Sequence, residues 1–364
     1  MLLSILTVSL AILLLLPSVI LTGRKLRQHS IAATLRISGA NSIVDERYVR
    51  IGGIEQWISI RGENRSNPVL LILHGGPGAS CRIFASLMRP WEKHFTLVQW
   101  DQRGGAKTLS RTGKHGTGPL TFDRLAQDGI ELAEYVQRQL PPSPIVLLGQ
   151  SFGSTFALSM LKRRPDLFAA YVGTDQNTGM VRDRERVHQE TLARLRAAGL
   201  RKGVAALKRI GPDPVRWSPA DLRAVAQWTM KSDPTAAHRI VTLLKNRIWS
   251  APGYTLADIK TYLTGMNFSL EQLLPDAVRF DARSECTHFT MPFFIFQGEH
   301  DVLTLPCLAE SYLNDLTAPI KAFSLIRNTG HFASFLEPDQ FLDELLRHVR
   351  PVLAARPVSH VTSA

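Results

Sequence analysis

The sequence predicts an α/β protein, in which a mostly parallel central sheet carries helices on both faces and a helical cap is inserted late in the chain. Short apolar runs alternate with segments of helical periodicity, which is typical of parallel strands joined by helices. The strand-like runs stop near residue 178 and resume after residue 280. Because 45% of the 364 residues are hydrophobic, the chain can bury a large core.

Apolar runs and turn residues predict the elements of the first half. Residues 47–61 indicate two strands around Gly52 and Gly53, which is a hairpin by turn chemistry. Continuous apolar runs predict strands buried on both faces at residues 68–73, 95–100, 144–148 and 168–172. Helices are expected at residues 120–140 and 154–163.

The second half begins with helical patterns and prolines. We expect this segment to cover the edge of the sheet at the carboxyl ends of the strands, where open α/β sheets bind ligands. Strands are predicted again at residues 292–296 and 322–326, and a last helix at 338–349. The predicted domains are a core in two parts (47–177 and 281–352), a helical cap (178–280) and a tail (353–364).

The N-terminal residues 1–22 contain no charged side chain, and the basic residues Arg24, Lys25 and Arg27 follow them. An apolar helix of about 20 residues can cross a bilayer. A cleaved signal peptide and a buried helix are the alternatives, but the basic residues follow the apolar run and no small-x-small cleavage site closes it. The pattern favours a single-pass membrane anchor, with residues 23–46 as a linker and the remaining chain on the cytoplasmic side.

Composition argues against several kinds of site. The net charge is +12, and the predicted cap carries 17 Lys and Arg against 9 Asp and Glu. We interpret this charge as a solvated basic surface, with attraction to anionic lipid or to an anionic substrate as alternatives. No nucleic-acid-binding module is recognisable. Cys81, Cys286 and Cys307 have no CxxC spacing, so neither a disulfide framework nor a metal site is expected, and no cofactor is predicted.

The most specific motif is Gly-Gln-Ser-Phe-Gly at residues 149–153. It follows a predicted buried strand and precedes a helix, as a G-x-S-x-G nucleophile elbow does. A serine on such a turn is exposed to a reacting group, and the helix N-terminus behind it favours negative charge. The context therefore predicts Ser151 as a nucleophile.

A serine nucleophile needs a base, and the base needs an orienting carboxylate. On this kind of sheet the order along the chain is serine, acid, histidine. His331 follows the last predicted strand and Asp301 follows the strand before it, so both lie at the edge where Ser151 is expected. Glu299 competes with Asp301, and the neighbouring His300 is interpreted as structural.

Acyl transfer also needs hydrogen-bond donors for the developing oxyanion. The amide of Phe152 follows the nucleophile, and a second amide is expected from the glycine-rich loop at residues 74–78, for which we predict Gly76. His74 begins that loop and is expected to order it.

Together these motifs resemble the proline iminopeptidase-like branch of the α/β-hydrolase fold. The resemblance rests on HGGPG at 74–78, DQRGG at 101–105, GQSFGST at 149–155, GEHD at 298–301 and GH at 330–331. It implies an α/β-hydrolase fold with the triad Ser151, Asp301 and His331, and a structural role for Asp101 and Arg103 beside the site.

The resemblance leaves the substrate open. Aminopeptidases of this branch hold the free amine of the substrate with acids in the cap, for which Glu185, Glu190 and Glu271 are the candidates here. The basic cap and Phe152, where the family usually has Trp, are departures from the pattern. We predict a serine hydrolase acting on an ester or amide of a small molecule or peptide, an aminopeptidase or, alternatively, a lipase-like carboxylesterase or an acyltransferase.

Overall fold

A computed structural model describes residues 2–179 and 182–354, with side chains from residue 16 onward except that of Pro234. In these ranges one sheet contains eight strands: β1 (Ile43–Ile51), β2 (Ile54–Gly62), β3 (Val69–Leu73), β4 (Thr96–Asp101), β5 (Ile145–Gln150), β6 (Ala170–Thr174), β7 (Phe293–Gly298) and β8 (Lys321–Ile326). Their order is β1-β2-β4-β3-β5-β6-β7-β8. Strands β1 and β2 are antiparallel to each other, β2 is antiparallel to β4, and the pairs from β4 to β8 are parallel. The predicted fold class is confirmed.

The burial of each strand follows from its place in the sheet. Strands β3 to β7 are buried along their whole length, which explains why they appear in the sequence as uninterrupted apolar runs. Strand β1 lies at an edge and is largely exposed. The turn to β2 uses Gly52 and Gly53 at φ +56° and +82°, as a two-residue hairpin requires.

The helices of the described residues are α1 (Leu2–Thr34), α2 (Ala106–Gly116), α3 (Phe122–Gln139), α4 (Phe152–Arg163), α5 (Arg184–Ala197), α6 (Arg201–Ile210), α7 (Pro219–Lys231), α8 (Pro234–Ser250), α9 (Leu256–Ala277), α10 (Ala282–Glu285), α11 (Pro306–Asp315), α12 (Ala333–Leu336), α13 (Pro338–Glu344) and α14 (Arg350–Ala354). A π-helical turn, Leu345–Val349, joins the last two. Helices α5 to α9 lie between β6 and β7 in the chain, within the predicted cap. Residues 355–364 of the predicted tail lie outside the described residues.

Two apolar cores occupy the two faces of the sheet. Alternate residues of one strand enter different cores: Leu71 and Leu147 face α3 and α4, whereas Leu70 and Leu148 face the α13 side. This alternation is the period-two pattern of a strand. Each fully buried Leu, Ile or Phe contributes about 1.5–3 kcal/mol relative to an exposed one. The two cores hold the carboxyl ends of the strands in a fixed arrangement, and the loops that follow these ends are positioned by it.

The prediction of a membrane anchor is wrong. Across the part of the chain that the structure describes, no helix is both long enough and apolar enough to cross a membrane. The predicted transmembrane segment at residues 1–22, the membrane as a binding partner and the membrane location with a cytoplasmic catalytic part are all corrected by this finding.

The basic residues that suggested a membrane flank belong to α1 itself. Arg24 is buried and donates from Nε to the carbonyl of Trp249 at 2.9 Å and from Nη2 to that of Tyr254 at 2.6 Å. Gln28 donates to Ala251 and Tyr254. The segment predicted as a linker (23–46) is therefore helical up to Thr34 and enters β1 at Ile43. The charge of Arg24 serves packing between α1 and the α8–α9 segment.

Candidate active site

Ser151 occupies the turn between β5 and α4. Its φ of +50° lies in the left-handed region, which a residue with a side chain rarely adopts. The turn is held by the amide of Ser151, which donates to the carbonyl of Thr174 at 2.9 Å, and by the Ser154 hydroxyl, which donates to the Ser151 carbonyl at 2.6 Å. These contacts fix the strained backbone and present the Ser151 hydroxyl at the edge of the sheet.

The glycine at position 153 allows this turn to approach β3. A Cβ on Gly153 would lie 2.2 Å from the carbonyl oxygen of Leu73, far inside any normal contact. Position 149 is similarly tight, because a Cβ there would lie 2.8 Å from the Tyr171 hydroxyl. The G-x-S-x-G spacing thus has a steric cause in this protein.

The structure brings the three predicted triad side chains together. Nε2 of His331 lies 2.9 Å from Oγ of Ser151, and Nδ1 of His331 lies 2.9 Å from Oδ2 of Asp301. His331 follows β8 and Asp301 follows β7, so neighbouring parallel strands deliver them to the same edge. Asp301 is buried, and its Oδ1 accepts from the amides of Leu303 and Thr304 at 2.8 and 3.0 Å.

The competing residues do not join this group. Glu299 Oε2 accepts from the amide of Asn328 at 3.1 Å and lies 3.6 Å from Nε2 of His300. The side chain of His300 is 62% exposed. These two residues therefore face each other at the surface, and neither contacts Ser151.

A fourth side chain at the site, Asp175, was not predicted from the sequence. It follows β6 directly, is buried, and accepts from the amide of Phe332 at 3.0 Å through Oδ2. Its Oδ1 has no hydrogen-bond partner among the described residues. It lies just beyond the predicted strand 168–172, as Asp301 lies just beyond the predicted strand 292–296, so the same signal could have identified it.

Two carboxylates determine the protonation of His331. Burial disfavours the charged imidazolium, but Asp301 and Asp175 favour it more strongly, so that the pKa of His331 is raised to about 9. Burial in turn raises the pKa of Asp175 to about 6, against the opposing effect of His331. Ligand atoms of Asp175, Asp301 and His331 lie within 4.8 Å of one another, so these residues could also hold a metal ion.

The two predicted oxyanion donors line the cavity at Ser151. The amide of Phe152 is at the first position of α4, where a helix leaves the N–H without an intrahelical acceptor. Gly76 has φ +118°, and a Cβ there would lie 2.6 Å from that of Ala79. A Cβ on the adjoining Gly75 would lie 2.9 Å from that of Ser151. Glycine therefore lets this loop lie directly against the nucleophile turn.

Buried polar contacts hold the glycine-rich loop in place. His74 has an Nδ1 to Gly75 carbonyl contact of 2.8 Å, and its Nε2 accepts from the amide of Gln102 at 3.3 Å. Burial lowers the pKa of His74 to about 4, so the ring is neutral. Asp101 accepts from the hydroxyl of Ser80 at 2.5 Å, which anchors the end of the same loop.

Arg103 connects the DQRGG segment to the hairpin. Its Nε donates to Asp128 at 2.7 Å and its Nη2 to the carbonyl of Gly52 at 2.7 Å. Both charged side chains are almost fully buried. Asp101 thus contacts Ser80, and Arg103 contacts α3 and the hairpin turn, and neither is among the residues that line the cavity.

A cavity of about 1100 Å³ opens above Ser151. Its floor is formed by the strand ends and the glycine-rich loop, and its walls come from α5 to α9. Apolar side chains make up most of the wall. The volume is slightly above the roughly 300–1,000 Å³ typical of small-molecule sites.

Comparison with known proteins gives the family. The model of the alpha/beta hydrolase fold family matches residues 68–338. The chain belongs to that family. This hydrolase is 28% identical to a protein named "Probable aminopeptidase YbaC" from Bacillus subtilis (strain 168), over 85% of its own length and 97% of the relative.

Two further comparisons agree with this assignment. The hydrolase is 24% identical to a proline iminopeptidase of Lactobacillus delbrueckii subsp. bulgaricus, over 83% of its own length and 96% of that protein. A crystal structure described as a membrane phospholipase A, a novel bacterial virulence factor, has the same fold, with a TM-score of 0.60, 16% identity and coverage of 97% and 98% of the two chains. The predicted resemblance to the proline iminopeptidase-like branch and the predicted hydrolase activity are confirmed.

The cap glutamates suggested for an amine do not line the cavity. Glu190 Oε1 accepts from Arg186 at 2.9 Å, and Glu271 lies 3.4 Å from Arg223. Glu185 accepts from Gln189 at 2.9 Å. All three carboxylates thus contact other side chains of the predicted cap.

Proposed function

We propose that this enzyme hydrolyses carboxylic esters or amides through an acyl-enzyme on Ser151. His331 accepts the proton of the Ser151 hydroxyl through Nε2 while Oγ attacks the substrate carbonyl. Asp301 orients the imidazole through Nδ1 and stabilises the imidazolium. The amides of Gly76 and Phe152 donate to the oxyanion that forms.

The intermediate then collapses in the usual order for acyl transfer. The proton on His331 passes to the leaving group, whose bond to the carbonyl carbon breaks, and the acyl group stays on Oγ of Ser151. Water next gives a proton to His331 and attacks the acyl carbon. The bond from that carbon to Oγ of Ser151 breaks, and His331 returns the proton to Oγ, which releases the acid and the free serine. The distance of 2.9 Å between Nε2 of His331 and Oγ of Ser151 carries this proposal, because proton transfer needs direct contact.

We favour an ester of an uncharged acyl group over an N-terminal amino acid as substrate. An amine in an apolar cavity needs a carboxylate partner, since an unpaired buried charge is costly. Of the described acids, Asp175 and Asp183 line the cavity. Asp175 faces His331, and Asp183 lies 3.3 Å from Arg283. The aminopeptidase named among the relatives makes amine-dependent cleavage the second candidate.

Two p-nitroanilides and one p-nitrophenyl ester test this choice. We expect butyryl p-nitroanilide to be cleaved with a kcat/KM at least equal to that of L-prolyl p-nitroanilide, and p-nitrophenyl butyrate to be cleaved faster than both. The two anilides share the p-nitroaniline leaving group and differ in the acyl part, so their comparison measures the preference for an amino-acid acyl group over an uncharged one. A preference for the prolyl anilide above a hundredfold would contradict the ester proposal and favour the aminopeptidase. Absence of Ser151-dependent turnover on all three would reject both.

The dependence of kcat/KM on pH should show the effect of Asp175 on the pKa of His331. A general base must be neutral, and a raised pKa keeps His331 protonated to higher pH, so kcat/KM should rise with pH and level off above about pH 9. Replacing Asp175 by Asn removes a negative charge that favours the imidazolium. We expect the midpoint of the profile to move down by about one unit.

The matched control is Asp183→Asn, which removes a carboxylate from the wall of the same cavity. Asp183 is not among the groups that shift His331, so its loss should leave the midpoint in place. An unchanged midpoint in Asp175→Asn would mean that Asp175 does not influence the base.

A further inference from the structure

Helix α9 presents an apolar stripe to the cavity. Ile259, Leu263, Met266 and Leu270 are spaced by four, three and four residues, so they lie along one face of the helix. All four line the cavity. Leu263 is 54% exposed, whereas Met266 and Leu270 are partly buried against neighbouring apolar clusters, so other parts of the described chain cover the stripe only in part.

Helix α8 contributes a second stripe. Val241, Leu244 and Ile248 are spaced by three and four residues and also line the cavity. Val241 is 43% exposed, and the neighbouring Trp249 is 37% exposed. Below, "the α8–α9 wall" means Val241, Leu244, Ile248, Ile259, Leu263 and Met266. Partly exposed apolar side chains that continue into a cavity are typical of a surface that binds an apolar ligand.

The α8–α9 wall belongs to the same cavity as the reacting groups. Ser151, His331 and Gly76 line its floor. A chain attached to a carbonyl at Ser151 can therefore extend along the wall without leaving the cavity. An amino acid or acetyl group would leave most of the 1100 Å³ unfilled.

Charges on the cap side of the cavity disfavour a cationic occupant. Arg184, Arg223 and Lys245 line this side together with Asp183, and Arg184 and Arg223 are paired with Asp213 and Glu271 at 3.8 and 3.4 Å. A neutral hydrocarbon chain carries no charge for these cations to repel, and it needs no hydrogen-bond or ion-pair partner from the apolar part of the wall.

We propose that the α8–α9 wall binds a medium-to-long hydrocarbon chain of the substrate ester. This inference rests on the proposed function and adds the substrate class to it. The chain can belong to the acyl group or to the alcohol, because both are attached to the carbonyl that Ser151 attacks. Removing each methylene from water contributes a nearly constant free energy, so chain length should control the rate until the wall is covered.

Two series of esters test the wall and distinguish the two sources of the chain. One is p-nitrophenyl acetate, butyrate, octanoate and decanoate, and the other is butyl, octyl and decyl acetate. We expect kcat/KM to rise about two- to fourfold per added methylene in one series up to octanoate or octyl acetate. The series in which kcat/KM rises shows whether the wall binds the chain of the acyl group or that of the alcohol. A flat or falling profile in both series would overturn the inference.

A charged residue on the wall supplies the mutational test. In Leu263→Asp we expect the ratio of kcat/KM for the long ester to that for the short ester to fall at least tenfold. Leu256→Asp is the control, because Leu256 is on the same helix and 50% exposed but does not line the cavity. Its ratio should equal that of the wild type. An equal ratio in Leu263→Asp would contradict the assignment of the wall.

Binding without turnover separates this inference from the proposed function. In Ser151→Ala, calorimetric titration should detect the preferred long ester, either p-nitrophenyl decanoate or decyl acetate, more tightly than its short homologue, and Leu263→Asp should remove the difference. Binding with this preference, but without hydrolysis by the wild type, would support the wall and reject the function. Hydrolysis that depends on Ser151 but shows no preference for chain length would support the proposed function and reject the binding of a chain on the wall.

Discussion

Replacing Ser151 by Ala should lower kcat for p-nitrophenyl esters by about 10⁴- to 10⁶-fold while the fold is retained. The alanine removes the atom that forms the acyl-enzyme and leaves the backbone of the turn unchanged. The contacts of that turn are made by the main chain of Ser151 and by Ser154, so they persist in the variant. Steady-state kinetics and a thermal melt followed by circular dichroism check the two parts of this expectation.

Ser143 offers a matched control. It precedes β5, whereas Ser151 follows it, so the two serines lie at opposite ends of one strand. Ser143→Ala should keep kcat within about twofold, as surface substitutions usually have small effects. If Ser151→Ala keeps more than a tenth of the wild-type rate, the nucleophile is another group.

Replacing Asp301 by Asn should lower kcat by about 10³- to 10⁴-fold. The amide keeps the shape of the carboxylate, and its oxygen can still accept from the amides of Leu303 and Thr304. It no longer stabilises the imidazolium, and it can hold the ring in the wrong tautomer. Measurement of kcat at the plateau of each variant's own pH profile separates this loss from a shift in pKa.

The loss of kcat in Asp301→Asn should be compared with that in Asp175→Asn. Both acids are buried beside His331, but Nδ1 of the ring is 2.9 Å from Asp301, whereas Asp175 accepts from the amide of Phe332. We expect the Asp175 variant to lose less than about tenfold at its plateau, since it leaves the triad contacts in place. A larger loss in Asp175→Asn than in Asp301→Asn would reverse the roles of the two acids.

The sequence predicted the sheet and the triad because their signals are local. Buried parallel strands produce uninterrupted apolar runs, and a residue directly after such a run is delivered to the carboxyl edge of the sheet. Ser151, Asp301 and His331 each follow a strand in this way, which is why residues far apart in the chain could be grouped. The cavity-lining surfaces of α8 and α9 could not be found so simply, since their orientation depends on packing between helices.

The errors arose where tertiary contacts override composition. The N-terminal apolar run and its basic flank suggested a membrane anchor, but Arg24 is buried against the carbonyls of Trp249 and Tyr254, more than 220 positions away. No local pattern contains such a contact. Asp175 was missed for a different reason: attention to the family order of serine, acid and histidine selected one acid and left a second strand-end carboxylate unused.

The most direct test of the central claim is the site of covalent labelling. The wild-type enzyme should react with a fluorophosphonate, and peptide mass spectrometry should find one adduct, on Ser151, that His331→Ala largely suppresses because the base is absent. A label on a different residue, or labelling of Ser151 that is equally fast without the imidazole, would contradict the account of a histidine-activated serine.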